Sequence, residues 1–182
     1  MAVTLPDLQL RDEHDGIADL RSGVLRTPAS PQASFSDDPL RMMRAARFVS
    51  ELGFQIEPAT YAAIAAMADR ITIVSAERIQ AELSRLLLGK HPRRGLAVLV
   101  DTGLADIVLP EVPALQLEID EHHRHKDVYE HSLTVLEQAI AQEDDGPDLV
   151  LRLASLLHDI GKPKTRRFED GGGVSFHHHE VV

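Results

Sequence analysis

The sequence predicts a mainly α-helical protein, and two patterns carry that prediction. The first is an alanine-rich stretch from residue 38 to about 109, where apolar residues recur at helical intervals. The second is a pair of further helices predicted over 127–142 and 147–160. Extended structure is predicted only near the ends of the sequence, as short segments within 1–27 and a hairpin over 164–177.

Composition narrows the class of protein. The 182 residues are enough for one domain or two small ones, and 43% are hydrophobic and 26% charged, as in ordinary soluble proteins. Cysteine is absent, which excludes disulfides and thiolate metal sites and fits a reducing cytosol. No apolar run approaches the roughly 18 residues of a membrane helix, and the acidic N-terminal stretch does not read as a signal peptide. We therefore expect a cytoplasmic protein with no membrane partner.

The charge distribution leaves a nucleic-acid partner open. The formal net charge of −10 argues against such a partner when it is taken alone, since nucleic acids bind basic surfaces. Basic residues are nevertheless concentrated in three places: positions 41, 44 and 47, the segment "KHPRR" (90–94) and the segment "KPKTRR" (162–167). An acidic protein can carry a basic groove built from such clusters.

Start and stop signals divide the helical stretch. Asp38 and Pro39 predict the start of a helix that Gly53 ends, with Met42, Ala45, Val49 and Leu52 on one face. Three later starts are predicted at Pro58, Ser75 and Pro92. The Pro/Ser-rich residues 28–37 read as a connector, and "DEHDG" (12–16) reads as a turn.

Histidine and aspartate cluster in the C-terminal third. His131 lies on the first of the two predicted C-terminal helices, and His158 and Asp159 stand together where the second one ends. Consecutive side chains can converge on one ion at such an end, because the backbone is leaving helical geometry there. Neutral imidazole and carboxylate suit Mn, Fe, Ni, Zn or Mg to differing degrees. An isolated His-Asp dipeptide would not be a signal.

The wider text "LLHDIGK" (156–162), with a histidine one helix upstream, resembles the HD superfamily of metal-dependent phosphohydrolases. The resemblance implies a divalent metal of unknown identity held by His131, His158 and Asp159, and a further aspartate beyond residue 182. It also makes His179, within "HHHE" (177–180), a candidate metal ligand. The remaining histidines of this region are expected on the surface: His122, His123 and His125.

An arginine stripe follows Asp38. Asp38 and Arg41 are three residues apart and so share a helix face. A carboxylate beside a guanidinium offers an acceptor and a donor, which suits the polar edge of a nucleobase. Arg44 and Arg47 would suit a triphosphate, an RNA backbone or support of the fold. The alternative is a solvated salt bridge between Asp38 and Arg41.

The longer text "DDPLRMMRAARFVSELGF" (37–54) resembles the neck of the class II tRNA nucleotidyltransferases, the CCA-adding enzymes, and of their poly(A) polymerase relatives. Further family-like motifs follow in order over the chain: "DEHDGIADL" (12–20), "LRTP" (25–28), "SAERIQAEL" (75–83) and "GLADIVLPE" (103–111). Two positions depart from the family pattern. Asp37 stands where glutamate is usual, and Asp15 stands where the first of two glycines is usual.

This resemblance implies a division of the chain and of its roles. Residues 1–27 would be a short β remnant of the nucleotidyltransferase head, 28–118 a helical neck that recognises nucleotides and binds RNA, and 119–182 a truncated all-α HD domain with a β-hairpin insertion. Asp38 and Arg41 would act as a protein template that pairs with the base of an incoming CTP or ATP. Three other residues would brace the neck: Glu77, Arg78 and Glu82.

The same resemblance implies addition of CMP and AMP to the 3′ end of tRNA, with tRNA, ATP and CTP as partners and Mg as cofactor. The family's Mg-binding carboxylates lie in a glycine-rich segment upstream of the motif at 12–20, and no such text occurs in this sequence. We therefore expect no catalytic residues within residues 1–182, and no nucleotide addition by this chain alone. Met1 is expected to be an internal boundary of the parent protein.

Two alternatives stay open. A poly(A) polymerase of the same family would have the same fold and a different product. A stand-alone HD-type phosphohydrolase would use the N-terminal helices only as a partner module. The presence of a nucleotidyltransferase head motif upstream of residue 1 in the genome would favour the transferase over the hydrolase.

Overall fold

The structure is a computed structural model that describes residues 2–4, 9–116, 128–168 and 174–176. The chain forms two compact units, Met1–Leu104 and Ala105–Val182. Helices dominate the described residues of both units, which confirms the predicted mainly α fold. The domain boundaries predicted from the family resemblance stay a prediction.

The first unit is a set of helices with short strands. Its elements are, in chain order, β1 (Ala2–Thr4), β2 (Gln9–Arg11), α1 (Gly16–Ser22), β3 (Val24–Leu25), α2 (Pro31–Asp37), α3 (Leu40–Leu52), β4 (Gln55–Ile56), α4 (Pro58–Met67), a 3₁₀ helix (Ala68–Ile73), α5 (Ala76–Leu87) and α6 (Pro92–Asp101). Strands β1 and β2 pair antiparallel. Strands β3 and β4 pair in parallel, with Val24 opposite Gln55, so the segment before α2 is tied to the end of α3.

Two of these helices were not predicted. The prediction of a connector over 28–37 is wrong, because α2 fills most of it. The Ser30 hydroxyl accepts a hydrogen bond from the Ala33 amide at 3.2 Å, and Pro31 occupies the first turn, where its missing N–H costs nothing. The predicted turn at 12–16 leads directly into α1, whose first amides, of Gly16 and Ile17, donate to the Asp12 carboxylate at 2.8 and 2.7 Å.

Helix α3 is the centre of the first unit and packs against both α5 and α6. Met42, Met43 and Ala46 on α3 are completely buried. Helix α6 approaches α3 so closely at Gly95 that an added Cβ would lie 2.9 Å from the Ala46 carbonyl oxygen. Glycine at position 95 therefore permits the close packing of α6 against α3, the helix that carries Arg41 and Arg44.

The second unit joins helices to a β-hairpin. Its elements are α7 (Ala105–Val108), a 3₁₀ helix (Pro113–Leu115), α8 (Val128–Ile140), α9 (Leu149–Leu157), α10 (Lys162–Thr165), β5 (Arg166–Phe168) and β6 (Val174–Phe176). Helices α8 and α9 pack together, and the Asp148 carboxylate caps α9. Strands β5 and β6 pair antiparallel, with Arg166 opposite Phe176, which confirms the predicted hairpin; its tip lies outside the described residues.

Among the described residues, no helix combines the length and the apolar character that a membrane crossing requires.

Candidate nucleotide-recognition corner and candidate metal centre

The first candidate site is the junction of α2 and α3, residues 34–44, which we call the α2–α3 corner. Asp38 is the first residue after α2, and its backbone is extended. Its Oδ1 atom accepts a hydrogen bond from the Leu40 amide at 3.2 Å, while its own amide donates to the Ser34 carbonyl at 3.1 Å. Asp38 thus ends one helix and caps the next, so its carboxylate has a fixed place in the corner.

Arg41 lies on the first turn of α3 and reaches back to α2. Its Nη1 atom donates to the carbonyl oxygen and the hydroxyl of Ser34 at 3.2 and 3.1 Å, and its Nη2 atom donates to Asp37 Oδ2 at 2.7 Å. Among the described residues, the side chains of Asp38 and Arg41 are not hydrogen-bonded to each other. The salt bridge between them, which was the alternative to base recognition, is therefore not formed in this structure.

The Asp38 carboxylate is surrounded by positive charge from two other arginines. Arg78 of α5 approaches it with Nη2 at 3.4 Å from Oδ1 and 3.5 Å from Oδ2, and Arg44 Nη1 lies 3.8 Å from Oδ2. The Asp38 side chain nevertheless keeps 23% of its surface exposed. The carboxylate is thus oriented by its neighbours and is still accessible to a ligand.

Arg47 occupies a different environment from Arg41. It is buried, its Nε donates to Glu82 Oε2 at 2.7 Å, its Nη1 donates to Glu51, and its guanidinium lies 4.1 Å from the centre of the Phe48 ring. Burial alone would lower the pKa of Arg47, but the bonds to the two glutamates outweigh it and raise the pKa. The guanidinium therefore ties α3 to α5 and stays charged.

Arg44 stands between these two environments. Its Nε donates to Glu82 Oε1 at 3.2 Å, so the two oxygens of one buried carboxylate hold Arg44 and Arg47. The Arg44 side chain is 42% exposed, in contrast to 6% for Arg47. Arg44 is thus both anchored and accessible to a ligand.

A cavity of about 370 Å³ lies beside the corner. Arg41 and Arg44 line it, whereas Asp38 and Arg47 are not among its lining residues. Its other walls come from the "LRTP" segment and from aromatic side chains, including Leu25, Arg26, Pro28, Phe35 and Phe48. The cavity combines apolar walls with three arginine side chains, Arg26, Arg41 and Arg44, a combination that suits a nucleotide.

The second candidate site is a cluster at the end of α9, which we call the metal centre. His131 comes from α8, and His158 and Asp159 follow α9. One ligand atom from each residue lies within 4.8 Å of the others. The two imidazole rings meet edge to face with their centres 5.4 Å apart. The structure thus brings together three of the four predicted metal ligands; His179 lies outside the described residues.

The hydrogen bonds of His158 fix its orientation. Its Nδ1 lies 2.8 Å from the Ser155 carbonyl oxygen, and a carbonyl only accepts, so we infer that Nδ1 carries the hydrogen. The Nε2 atom then faces Asp159 Oδ2 at 3.1 Å. Such a backbone partner on the far nitrogen is typical of metal-binding histidines.

The Asp159 carboxylate is the buried member of the cluster. Its Oδ2 atom lies 3.1 Å from His158 Nε2, 3.8 Å from His131 Nε2 and 2.6 Å from Lys162 Nζ. Three potential partners thus converge on one oxygen. Two imidazoles and a carboxylate within this distance fit a divalent ion of the Mn, Fe, Ni or Zn type.

Two family models match the chain. The model described as the probable RNA- and SrmB-binding site of polymerase A matches residues 53–115, and the HD domain model matches residues 128–182.

Curated relatives match over nearly the whole chain. The A-adding tRNA nucleotidyltransferase of Deinococcus radiodurans is 39% identical over 180 residues, which are 96% of this chain and 41% of the relative. The multifunctional CCA protein of Azoarcus sp. is 39% identical over 164 residues, 87% of this chain and 38% of the relative. The chain therefore spans about two fifths of the length of these relatives.

Solved structures of CCA-adding enzymes also match the chain. The CCA-adding enzyme of Bacillus stearothermophilus in complex with CTP matches with a TM-score of 0.51 and 41% identity, over 52% of this chain and 24% of that chain. A CCA-adding enzyme in complex with ATP matches with a TM-score of 0.61 and 22% identity, over 88% of this chain and 35% of that chain; at this identity the likeness concerns the fold.

Fold, motifs and relatives together support one class: over nearly its whole length the chain is similar to part of the tRNA nucleotidyltransferases. It contains a segment that matches the RNA-binding region of polymerase A and, in its C-terminal part, a segment that matches the HD domain.

Sequence reasoning missed two contacts at these sites. One is the bond between Asp37 and Arg41, although their spacing of four residues is a signal for such a pair. The other is the bond between Asp159 and Lys162, which are three residues apart in the "HDIGK" text.

Proposed function

We propose that this chain is the nucleotide-selecting and HD-containing part of a tRNA nucleotidyltransferase that adds CMP and AMP to the 3′ end of tRNA. Its substrates are CTP and ATP, its macromolecular partner is tRNA, and it works in the cytoplasm. The Mg²⁺ that such phosphoryl transfer needs would be held by head-domain carboxylates, which the family resemblance places upstream of the motif at 12–20. The A-adding relative supports addition of AMP, and the similarity to the CCA-adding enzyme of Bacillus stearothermophilus supports addition of both nucleotides.

The arrangement of Asp38 and Arg41 is the observation that carries the proposal. Both side chains are held at one corner by other residues and do not neutralise each other. Asp38 offers a carboxylate acceptor, and Arg41 offers donors in a planar fork. In the proposed role the two read the acceptor and donor groups of cytosine or adenine, and guanine or uracil would leave them unpaired.

The four candidate arginine and aspartate residues have distinct proposed roles. Asp38 and Arg41 contact the base, and Arg44, which lines the cavity and is partly exposed, contacts the nucleotide's phosphates or ribose. Arg47 supports the fold, because its guanidinium is buried between Glu51 and Glu82. Arg78 and Glu82 orient these residues and take no part in chemistry.

The metal centre favours a second candidate function, a metal-dependent phosphohydrolase. The convergence of His131, His158 and Asp159 is the observation behind it. A divalent ion bound there would activate water for attack on a phosphate ester. His131 and His158 would hold it through Nε2 and Asp159 through Oδ2, and the Ser155 carbonyl would keep the His158 ring in place.

Nucleotide binding by the purified 182-residue chain tests the first proposal. We expect CTP and ATP to bind at least tenfold more tightly than GTP and UTP, because only the former match the Asp38 and Arg41 groups. Asp38→Ala and Arg41→Ala should each remove this preference. Asp69→Ala and Arg21→Ala, at exposed positions of the same unit, are the matched controls and should keep it. Equal binding of all four nucleotides by the unaltered chain would refute base selection by the corner.

Poly(A) polymerase activity is separated from CCA addition by the same titration. A chain that selects ATP alone over the other three nucleotides would favour the poly(A) polymerase alternative, or an A-adding enzyme similar to the Deinococcus radiodurans relative. A chain that selects both CTP and ATP would favour the CCA-adding function.

A further inference from the structure

We propose that the Lys162 ammonium group occupies the cation position of the metal centre, so that Lys162 and a divalent ion compete for Asp159. The inference rests on the proposed metal site. It adds a device to that site: a cationic side chain that keeps the buried carboxylate paired until metal displaces it.

The geometry places lysine and metal on the same atom. Lys162 Nζ lies 2.6 Å from Asp159 Oδ2, a short charge-assisted hydrogen bond. The same Oδ2 atom faces the Nε2 atoms of His131 and His158 at 3.8 and 3.1 Å. An ion held by the two imidazoles would therefore coordinate Oδ2, at about 2.0–2.2 Å. An ammonium group on that oxygen would repel a divalent ion beside it.

The local fold holds Lys162 in this position. The Lys162 amide donates to the Asp159 carbonyl oxygen at 2.9 Å across the turn, and α10 begins at Lys162. The side chains of Asp159 and Lys162 are only 10% and 22% exposed. Solvent and salt screen such a partly buried pair much less than a surface pair. The contact is therefore a strong competitor for a metal ion.

The pairing also stabilises the buried carboxylate. A buried carboxylate is costly unless it is paired, and Lys162 supplies a positively charged partner. Metal binding then has to replace one favourable contact with another. The consequence is a metal affinity below that of the same ligands without the lysine.

Metal titration of the full 182-residue chain tests the inference. Mn²⁺ binding is measured by electron paramagnetic resonance for the unaltered chain, Lys162→Met and the matched control Lys164→Met, whose lysine is exposed and makes no ion pair among the described residues. We expect Lys162→Met to bind Mn²⁺ ten- to a hundredfold more tightly, the range by which groups that contact metal ligands alter affinity. Lys164→Met should match the unaltered chain, and Asp159→Asn should abolish binding.

A second measurement needs no variant and decides the matter if Lys162→Met fails to fold. Acetylation of each lysine in the unaltered chain is followed by peptide mass spectrometry with and without Mn²⁺. We expect Mn²⁺ to accelerate labelling of Lys162 severalfold, because its ammonium group is displaced, and to leave Lys164 unchanged.

The outcomes separate the inference from the metal site on which it rests. Mn²⁺ binding that Asp159→Asn abolishes, with equal affinity in Lys162→Met and no change in Lys162 labelling, overturns the competition and leaves the metal site in place. No Mn²⁺ binding by any form, Lys162→Met included, overturns both.

Discussion

At the scale of single residues, the Glu82 carboxylate organises the region around the α2–α3 corner. Its two oxygens accept from Arg44 and Arg47, both on α3, and Glu82 itself is buried on α5. Arg44 also lies near Asp38. One buried carboxylate thus determines where two arginines stand, and through Arg44 it contributes to the electrostatic surroundings of Asp38.

Removal of Glu82 should therefore be costly. We expect Glu82→Ala to lower the free energy of unfolding by about 3–5 kcal/mol, because it removes one of the two carboxylate partners of the buried Arg47 guanidinium. Urea unfolding followed by circular dichroism measures the loss. Glu77→Ala, at an exposed position of the same helix, is the control and should cost well under half as much.

The double variant Arg47→Met/Glu82→Met distinguishes the electrostatic explanation from simple loss of packing. If the buried charge is the cause, replacing both partners by apolar side chains should recover most of the stability. A double variant no more stable than Glu82→Ala would contradict it.

Residue spacing predicted some of these contacts and not others. Asp38 capping α3 was predicted from the Asp-Pro pair, since caps depend on neighbouring residues. Leu52, placed on the apolar face of α3 with Met42, is 49% exposed. The helical period predicts which residues share a face of α3, but it does not predict whether neighbouring elements cover the whole length of that face. The distances between Asp38, Arg78 and Glu82 depend on how α3 and α5 pack, which local sequence does not encode.

At the scale of elements, one ion pair links α9 to the segment that follows α8. Glu143 accepts from Arg152 at 2.7 Å (Nε) and 2.6 Å (Nη2), and from the Asp148 amide at 2.9 Å. The Arg152 guanidinium is the main reason that the pKa of Glu143 lies below its ordinary value. The pair supports the packing of α8 on α9, which carry the metal centre.

The lowered pKa of Glu143 predicts a pH dependence of stability. A carboxyl group whose pKa is depressed by folding stabilises the folded state above its unfolded pKa, about 4.3 for glutamate, and loses this contribution as pH falls through the folded value. We expect the stability difference between the unaltered chain and Glu143→Gln to be full near pH 7 and to shrink below about pH 4.

Thermal unfolding across this pH range measures that difference, with Asp145→Asn at a nearby exposed position as the control. A difference that stays constant from pH 7 to pH 3 would contradict the assignment of the lowered pKa to Glu143.

Helices and turns were predicted where their signals are local. Pro58 and Pro92 begin α4 and α6 as predicted, and the hairpin over 164–177 is present as β5 and β6. Helix α2 was missed because its serines and prolines were read as a connector, although Ser30 and Pro31 are a helix start signal. The parallel pairing of β3 with β4 joins residues that are 31 positions apart in the sequence, so no local signal predicts it.

At the scale of the whole molecule, the chain is expected to add no nucleotides to tRNA by itself. A carboxylate pair able to hold Mg²⁺ against a triphosphate is required. The acidic residues of the N-terminal region already have other partners. Asp12 caps α1, and Asp19 forms an ion pair with Arg26 at 2.8 Å. Incubation of the chain with tRNA lacking its 3′ end, Mg²⁺ and radiolabelled CTP and ATP should give no incorporation. Incorporation that Asp12→Asn or Asp19→Asn abolishes would show that catalytic carboxylates lie within this chain.

The resemblance to a family depends on the order of several motifs along the chain, because each motif alone is also explained by an ordinary structural role. Asp38 and Arg41 by themselves are consistent with a surface salt bridge, and His158 with Asp159 with a helix end. Their surroundings, "DDPLRMMRAARFVSELGF" and "LLHDIGK", made the prediction specific. Convergence of His131 from another helix on the His158–Asp159 pair is a tertiary property that only the packing of α8 on α9 provides.

The central claim is that Asp38 and Arg41 read the base of an incoming nucleotide, and the side-chain N–H signal of Arg41 tests it most directly. Nuclear magnetic resonance of the ¹⁵N-labelled chain, with Arg41→Lys to assign the signal, follows it as each nucleotide is added. The account predicts that CTP and ATP shift the Arg41 Nε–H signal, that GTP and UTP do not, and that Asp38→Ala removes the distinction. A signal that none of the four nucleotides moves, or that all four move equally, would contradict the account.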